Sequence, residues 1–170
     1  MLMMVRPSGM ADLVDLVIED VRWEALEMNA LAQQAANAAL KIAGVSPEYE
    51  ICIMGCDDAR ITELNAEFRE KPTATNVLSW PAYDLAPEIE GGQPTHPPQV
   101  EELGDIAIAY ETCEREATEK GITMQAHVLH LIVHGCLHLL GYDHETDKDA
   151  TLMEKLEVKA LASMGVDDPY

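Results

Sequence analysis

The 170-residue sequence is poor in basic side chains. It has 11 lysines and arginines against 31 aspartates and glutamates, which gives a formal net charge of −20 at pH 7. Binding a polyanion through a general basic surface requires clustered lysine and arginine. A broadly basic nucleic-acid surface is therefore excluded, and any contact with nucleic acid has to be local.

Long apolar runs and paired cysteines are also scarce. No run approaches the roughly 20 apolar residues of a membrane span, so no membrane partner is expected. The first 20 residues are interrupted by acidic side chains and do not form a signal peptide, which favours a cytoplasmic location. A disulfide framework or a structural zinc site is not indicated by the four cysteines, which are Cys52, Cys56, Cys113 and Cys136.

The hydrophobic patterning predicts one α/β (or α+β) domain over residues 1–170. A small mixed sheet of about four strands is expected to pack with about five helices. The predicted strands are 11–20, 48–55, 75–80 and 104–110, and the predicted helices are 23–43, 57–70, 111–120, 123–140 and 146–164. Five prolines and two glycines in residues 81–98 indicate an exposed loop, taken here as residues 81–103.

Five of the six histidines lie between residues 127 and 144. At 100° per residue, the four on the predicted helix occupy an arc of about 80° on one face. A single histidine on an apolar helix face is usually a core residue. Four on one face instead favour a site that binds metal.

Spacing selects three of these histidines as ligands. His134 and His138 are four residues apart, so their rings lie side by side. His130 is about 12 Å along the axis from His138, too far for both to bind one ion through bonds of about 2.0–2.1 Å. Gly141 ends the helix and lets the chain bring His144 back. The pattern H-x3-H-x2-G-x2-H therefore predicts one metal ion per chain.

Three imidazole ligands favour Zn²⁺ and leave a fourth position for water, as in catalytic rather than structural sites. His127 and His130 are candidates for contacts behind the ligands or toward a substrate. Asp143 is a candidate for orienting a ligand ring or a water molecule. Gly135 follows the first ligand where zinc peptidases of the HExxH type carry their glutamate base. If the chain is a hydrolase, either its base comes from elsewhere or the reaction depends on metal-bound hydroxide and an external cation.

Three segments resemble a known family. The run HGCLHLLGYDH (residues 134–144) is similar to the signature of the bacterial YbeY family of rRNA maturation factors, which are metal-dependent endoribonucleases. LNAEFREKPTATNVLSWP (64–81) and LGDIAIA (103–109) are similar to two further family segments, in the same order. Asn76 and Trp80 stand where the family usually has aspartate and phenylalanine.

The resemblance implies a zinc-dependent, single-strand-specific endoribonuclease acting in rRNA maturation and ribosome quality control. It implies zinc on His134, His138 and His144, and single-stranded rRNA, the ribosome or ribosomal proteins as partners. It also implies that Arg69 faces the cleft and contacts an RNA phosphate or the transition state. Without the resemblance, Arg69 between two nearby glutamates is typical of a solvated ion pair.

Two alternative functions stay open at this point. One is a metzincin-like zinc peptidase, because that class shares the ligand spacing of residues 134–144. The other is a non-catalytic ribosome-assembly factor whose metal only stabilises the fold. The acidic composition favours protein partners over naked RNA and keeps this second alternative open.

Overall fold

A four-stranded mixed sheet organises the chain in the computed structural model, which describes residues 13–98 and 102–170. The sheet order is β1-β2-β4-β3, with β1, β2 and β4 parallel and β3 antiparallel to β4. β3 is therefore an edge strand. The strands are β1 (Val14–Ile18), β2 (Glu50–Cys56), β3 (Val77–Pro81) and β4 (Glu102–Ala109).

Helices connect and cover the strands, which confirms the predicted α/β class with a small mixed sheet. The α-helices are α1 (Met28–Ile42), α2 (Asp58–Arg69), α3 (Tyr110–Lys120), α4 (Met124–Leu139) and α5 (Asp147–Ser163), and a 3₁₀ helix covers Val21–Leu26. The side chains of Asp57, Thr123 and Thr146 accept hydrogen bonds from backbone N–H groups at the starts of α2, α4 and α5. These N-caps fix where the three helices begin.

Helix α4 lies at the centre of the core, in contact with α1, α3, α5, β3 and β4. Eleven of its 16 residues are buried, so its position is fixed from several sides. A Cβ atom at Gly135 would lie 3.0 Å from Cδ1 of Ile106 on β4. The glycine therefore lets the helix approach the sheet closely, and the histidines of α4 project from a rigid support.

The predicted helix 23–43 is divided in two. Its first turns are 3₁₀, and α1 starts after Glu27, whose φ of 54° is left-handed. Trp23 is fully buried and its Nε1–H donates to the carbonyl of Cys56, at 2.9 Å. A Cβ at Gly55 would lie 2.7 Å from the indole, so the ring fills the space beside β2. Packing of this indole overrides the helix propensity of the segment.

Residues 82–98 form no helix or strand and are mostly exposed, but the predicted exposed loop 81–103 includes strand residues at both ends. Pro81 belongs to β3, while residues 102 and 103 belong to β4. Leu85 is 4% exposed and Pro97 is buried, where its carbonyl accepts a 3.2 Å hydrogen bond from the Tyr49 hydroxyl. The segment is therefore fixed to the core. Residues 1–12 and 99–101, with the start of the predicted first strand and part of this loop, lie outside the described residues.

Candidate metal centre

Three imidazole rings converge at one end of α4. His134 and His138 project from the helix, and His144 comes from the turn that follows it. One ligand atom from each residue lies within 4.8 Å of the other two. The Nε2 atoms of His134 and His138 are 3.0 Å apart, so both point toward the same small volume. The structure thus brings together the three histidines selected from their spacing.

Two of the rings are held in the orientation that metal binding requires. Nδ1–H of His134 donates to Oε1 of Glu157 at 2.9 Å, and Nδ1–H of His138 donates to the carbonyl of Tyr142 at 3.0 Å. Both acceptors lack a proton to donate, so they place the ring proton on Nδ1 and leave the Nε2 lone pair free. The donor set therefore fits a divalent metal ion with three imidazole ligands.

Burial and hydrogen bonding in the site favour a neutral His138 and an ionised Glu157. Burial and the neighbouring rings of His134 and His144 lower the pKa of His138 to about 4. Burial alone would raise the pKa of Glu157, but hydrogen bonds from His130 and His134 lower it to about 2. A neutral His138 is the form that binds metal, and an ionised Glu157 increases the basicity of His134.

Glu157 is the principal site residue that the sequence analysis does not identify. It lies on α5, is 1% exposed, and accepts hydrogen bonds from Nε2–H of His130 (3.0 Å), from His134 and from the hydroxyl of Tyr170 (2.8 Å). A buried carboxylate requires such partners. One feature of the sequence could have identified it, because Glu157 is an acidic residue on the apolar face of α5 that also carries Met153, Ala160 and Leu161.

The other sequence candidates take three different positions. His130 lies behind His134 and shares its carboxylate partner. His127 points away from the three ligands, and its Nε2 lies 2.9 Å from Oε1 of Glu116. Asp143 accepts the backbone N–H of His144 at 2.7 Å. The ring orientations of His134 and His138 therefore come from other acceptors.

A neighbouring side chain explains why asparagine rather than aspartate stands at position 76. Nδ2–H of Asn76 donates to Oε1 of Glu116 at 2.9 Å, the same oxygen that contacts His127. An aspartate at this position would place a second carboxylate against Glu116. The departure from the family pattern therefore matches the neighbouring side chain in this chain.

A cleft of about 540 Å³ opens beside the three rings, between α4 on one side and β3 with the residues before it on the other. Arg69 lines this cleft, and its Nη2–H donates to the carbonyl of Ser79 at 3.0 Å. Within the described ranges, no carboxylate lies within 4.0 Å of the Arg69 guanidinium. The ion pair typical of its local sequence is not formed.

The turn after α4 depends on a glycine. Gly141 has a φ of +101°, and a Cβ there would lie 2.6 Å from the carbonyl oxygen of Leu85. We expect Gly141→Ala to destabilise the fold by about 3 kcal/mol and to weaken metal binding, because backbone strain adds to overpacking and the turn carries His144. Urea unfolding and metal titration measure the two effects.

Gly121→Ala is the matched control for this substitution. Gly121 also has a positive φ, of +66°, but its Cβ would meet open space. The control should lose only the strain of a left-handed residue, about 1 kcal/mol, and bind metal normally. Equal losses in the two variants would show that the Leu85 contact is unimportant.

Glu157→Gln tests the buried carboxylate. The amide can keep the shape of the side chain but loses its charge, so we expect metal affinity to fall by about 10- to 100-fold. Competition with a chromogenic chelator measures this affinity. The control is Glu154→Gln on the exposed face of the same helix. If the metal affinity of Glu157→Gln is unchanged, Glu157 does not contribute to metal binding.

Fold and site together define an α/β protein with a candidate three-histidine metal centre in a cleft. In the part of the chain that the structure describes, no helix has the length and apolar character needed to cross a membrane. The family model described as Endoribonuclease YbeY matches residues 15–165. The chain therefore belongs to the YbeY family, which confirms the resemblance seen in the sequence.

Individual relatives agree along almost the whole chain. The protein named Endoribonuclease YbeY from Ruegeria pomeroyi is 58% identical, over 92% of this chain and 97% of its own length. The protein of the same name from Dinoroseobacter shibae is 52% identical, over 98% and 95%. A solution structure from Thermotoga maritima has a TM-score of 0.54 at 22% identity, covering 89% of this chain and 91% of its own, and shares the fold.

Proposed function

We propose that this chain is a zinc-dependent endoribonuclease specific for single-stranded RNA, acting in rRNA maturation and ribosome quality control. Its family makes it a hydrolase acting on RNA, since the curated relatives carry the name endoribonuclease. The proposal goes further in naming the metal, the strand specificity and the ribosomal partners. It assigns metal binding to His134, His138 and His144.

The observation that carries the proposal is the charge of the cleft. Its described lining includes Arg69, Lys71 and Lys120 together with four histidines, and the acidic residues Asp84, Asp143 and Glu145 line the adjoining cavity on the other side of Arg69 and His138. The charge of the cleft is the reverse of that of the chain as a whole, with its net charge of −20. A local cationic cleft attracts a phosphodiester to the imidazole cluster, while the surrounding acidic surface repels RNA elsewhere.

The proposal assigns phosphate binding to Arg69. The hydrogen bond from Nη2 to Ser79 holds the guanidinium against β3 and leaves most of its five N–H donors free. These donors match the non-bridging oxygens of a phosphodiester, whose charge must be stabilised during phosphoryl transfer. Zn²⁺, when bound, supplies Lewis-acid activation and further positive charge.

The peptidase alternative finds no support in the helix geometry. Position 135 packs toward Ile106 on the sheet, so a glutamate there would meet the core. The relatives of this chain are named as endoribonucleases.

Metal removal separates a catalytic ion from one that only stabilises the fold. The apolar core is built from α1, α4, α5 and the sheet, whereas His134 and His138 are half-buried and His144 is exposed. We therefore expect chelation to abolish RNA cleavage, to preserve most of the helical circular dichroism, and to be reversed by added Zn²⁺. Loss of the helical signal on chelation would favour the structural role instead.

The chelated and zinc-reconstituted proteins are also used to test which substrate is cleaved. A labelled RNA with one cleavage position is offered alone and annealed to its complement, and casein is offered in parallel. We expect cleavage of the single strand by the zinc-reconstituted protein only. Equal cleavage of the duplex, cleavage of casein, or cleavage by the chelated protein would each contradict the proposal.

A further inference from the structure

We propose that Tyr170 is a stacking platform for an unpaired base next to the phosphate that is cleaved. This inference rests on the proposed function and deepens it, because it names a nucleotide-binding residue and a source of single-strand selectivity. It depends on the position of one exposed ring in the cationic cleft.

The Tyr170 ring is exposed but fixed. The residue is 60% exposed and lines the same cleft as Arg69 and the three ligand histidines. Its hydroxyl donates to Oε2 of Glu157 at 2.8 Å and lies 3.4 Å from Nε2 of His130. These two contacts restrain the side chain although the residue is exposed. Here a buried carboxylate holds the ring beside the candidate metal centre.

The ring also has a face available for a ligand. Its nearest aromatic neighbour is His130, with centroids 5.6 Å apart and planes at 86°. In this edge-to-face arrangement the imidazole covers at most one face of the phenol. Tyr170 is 60% exposed as a residue, so a large part of its surface is not packed against the protein. A flat, apolar ligand can therefore stack on it.

An unpaired nucleotide base has the chemistry that fits this ring. Bases in single strands stack on tyrosine, whereas those in a duplex are already stacked on their neighbours. The cations of the cleft, Arg69, Lys71 and Lys120, provide contacts to the backbone phosphates but do not distinguish single strands from duplexes. Stacking on Tyr170 adds that distinction with little dependence on base identity.

Glu157 links this ring to the metal centre. One of its oxygens holds the ligand ring of His134 and the other holds the Tyr170 hydroxyl. A base stacked on the tyrosine is therefore positioned relative to the same carboxylate that orients His134. This connection would place the adjoining phosphate reproducibly near the imidazoles.

Phe68 is a matched control for an exposed aromatic residue. It is 58% exposed, but it packs edge-to-face on Trp80 and does not line the cleft. Steady-state kinetics are measured on a single-stranded RNA with one cleavage position. We expect Tyr170→Leu to raise KM by about 5- to 100-fold with a smaller change in kcat, and to reduce the preference for single strands over duplex. Phe68→Leu should change neither.

A second substrate makes the test specific for stacking. The same RNA is prepared with an abasic nucleotide on either side of the cleavage position. On one side, the abasic site should raise KM for the wild-type protein and have little further effect in Tyr170→Leu. An abasic penalty that is equal in both proteins, or a wild-type KM and strand preference in Tyr170→Leu, would overturn the inference.

Tyr170→Trp separates the ring from the hydroxyl. It keeps an aromatic face but loses the hydroxyl that ties the ring to Glu157, so we expect a KM between those of wild type and Tyr170→Leu, with normal zinc content. If Tyr170→Trp is as defective as Tyr170→Leu, the hydroxyl rather than the ring matters and the stacking role is wrong. If wild-type protein loaded with zinc does not cleave RNA, the proposed function fails. Cleavage that is insensitive to residue 170 overturns this inference alone.

Discussion

The His138→Ala variant is expected to lose both its bound metal and its RNA cleavage. Removing this imidazole leaves two ligands and opens the half-buried end of α4, where the Nδ1 of the ring was held by the Tyr142 carbonyl. Because the ion supplies several kcal/mol of charge stabilisation, we expect cleavage to fall by at least about 10³-fold. Elemental analysis of the purified variant, with single-turnover cleavage assays, measures both losses.

His96→Ala is the matched control for His138→Ala. His96 is the one histidine outside residues 127–144, is exposed, and contacts the carbonyl of Pro97 rather than the cleft. Its removal should leave metal content and cleavage unchanged. A His138→Ala protein that retains a full equivalent of metal, or cleaves at the wild-type rate, would show that the three converging rings are not the metal centre.

The Arg69→Glu variant is expected to lose cleavage while keeping its metal. The guanidinium contacts Ser79 and none of the three ligand histidines, so the ligand geometry does not depend on it. Losing one donor to the developing charge costs about 10²- to 10³-fold, and a carboxylate adds repulsion of the phosphate. Cleavage rates and metal content are to be measured on the same sample.

Arg115→Glu serves as the comparison for this charge reversal. Arg115 is an exposed arginine on α3 that does not line the cleft, so its replacement changes the net charge equally. Its cleavage should stay within about two-fold of wild type, since exposed charges distant from the site are largely screened. If both variants lose activity alike, net charge rather than the position of Arg69 explains the loss. If Arg69→Glu loses its metal, the role assigned to Arg69 is wrong.

Short-range sequence signals predicted much of the fold and the site. The predicted helices 123–140 and 146–164 begin one residue before α4 and α5, at the Thr123 and Thr146 side chains that cap them. The step of four residues from His134 to His138 spans about one helical turn, and the glycine at 141 lets the chain bring His144 back to both rings. The metal that they bind and the role of Arg69 stay predictions for the experiments above.

Contacts between distant parts of the sequence account for what was missed. The break at Glu27 follows from Trp23 packing beside β2, more than 30 residues away. Glu157 lies 23 residues from His134, and no local spacing connects them. The turn at Gly141 lies directly against the backbone of Leu85, which is also distant in the sequence. Periodicity reports which face of an element is apolar, but it does not report which partner that face meets.

The position of Glu157 near the end of the chain has a consequence for how the protein is made. Translation releases the strands and α1 to α4 before α5, whereas a domain generally folds as a unit. The ligand histidines on α4 emerge before α5, so they have no buried carboxylate to orient them until α5 has also been synthesised. A nascent chain therefore lacks a fully ordered metal site until α5 has been made and has packed against α1 and α4.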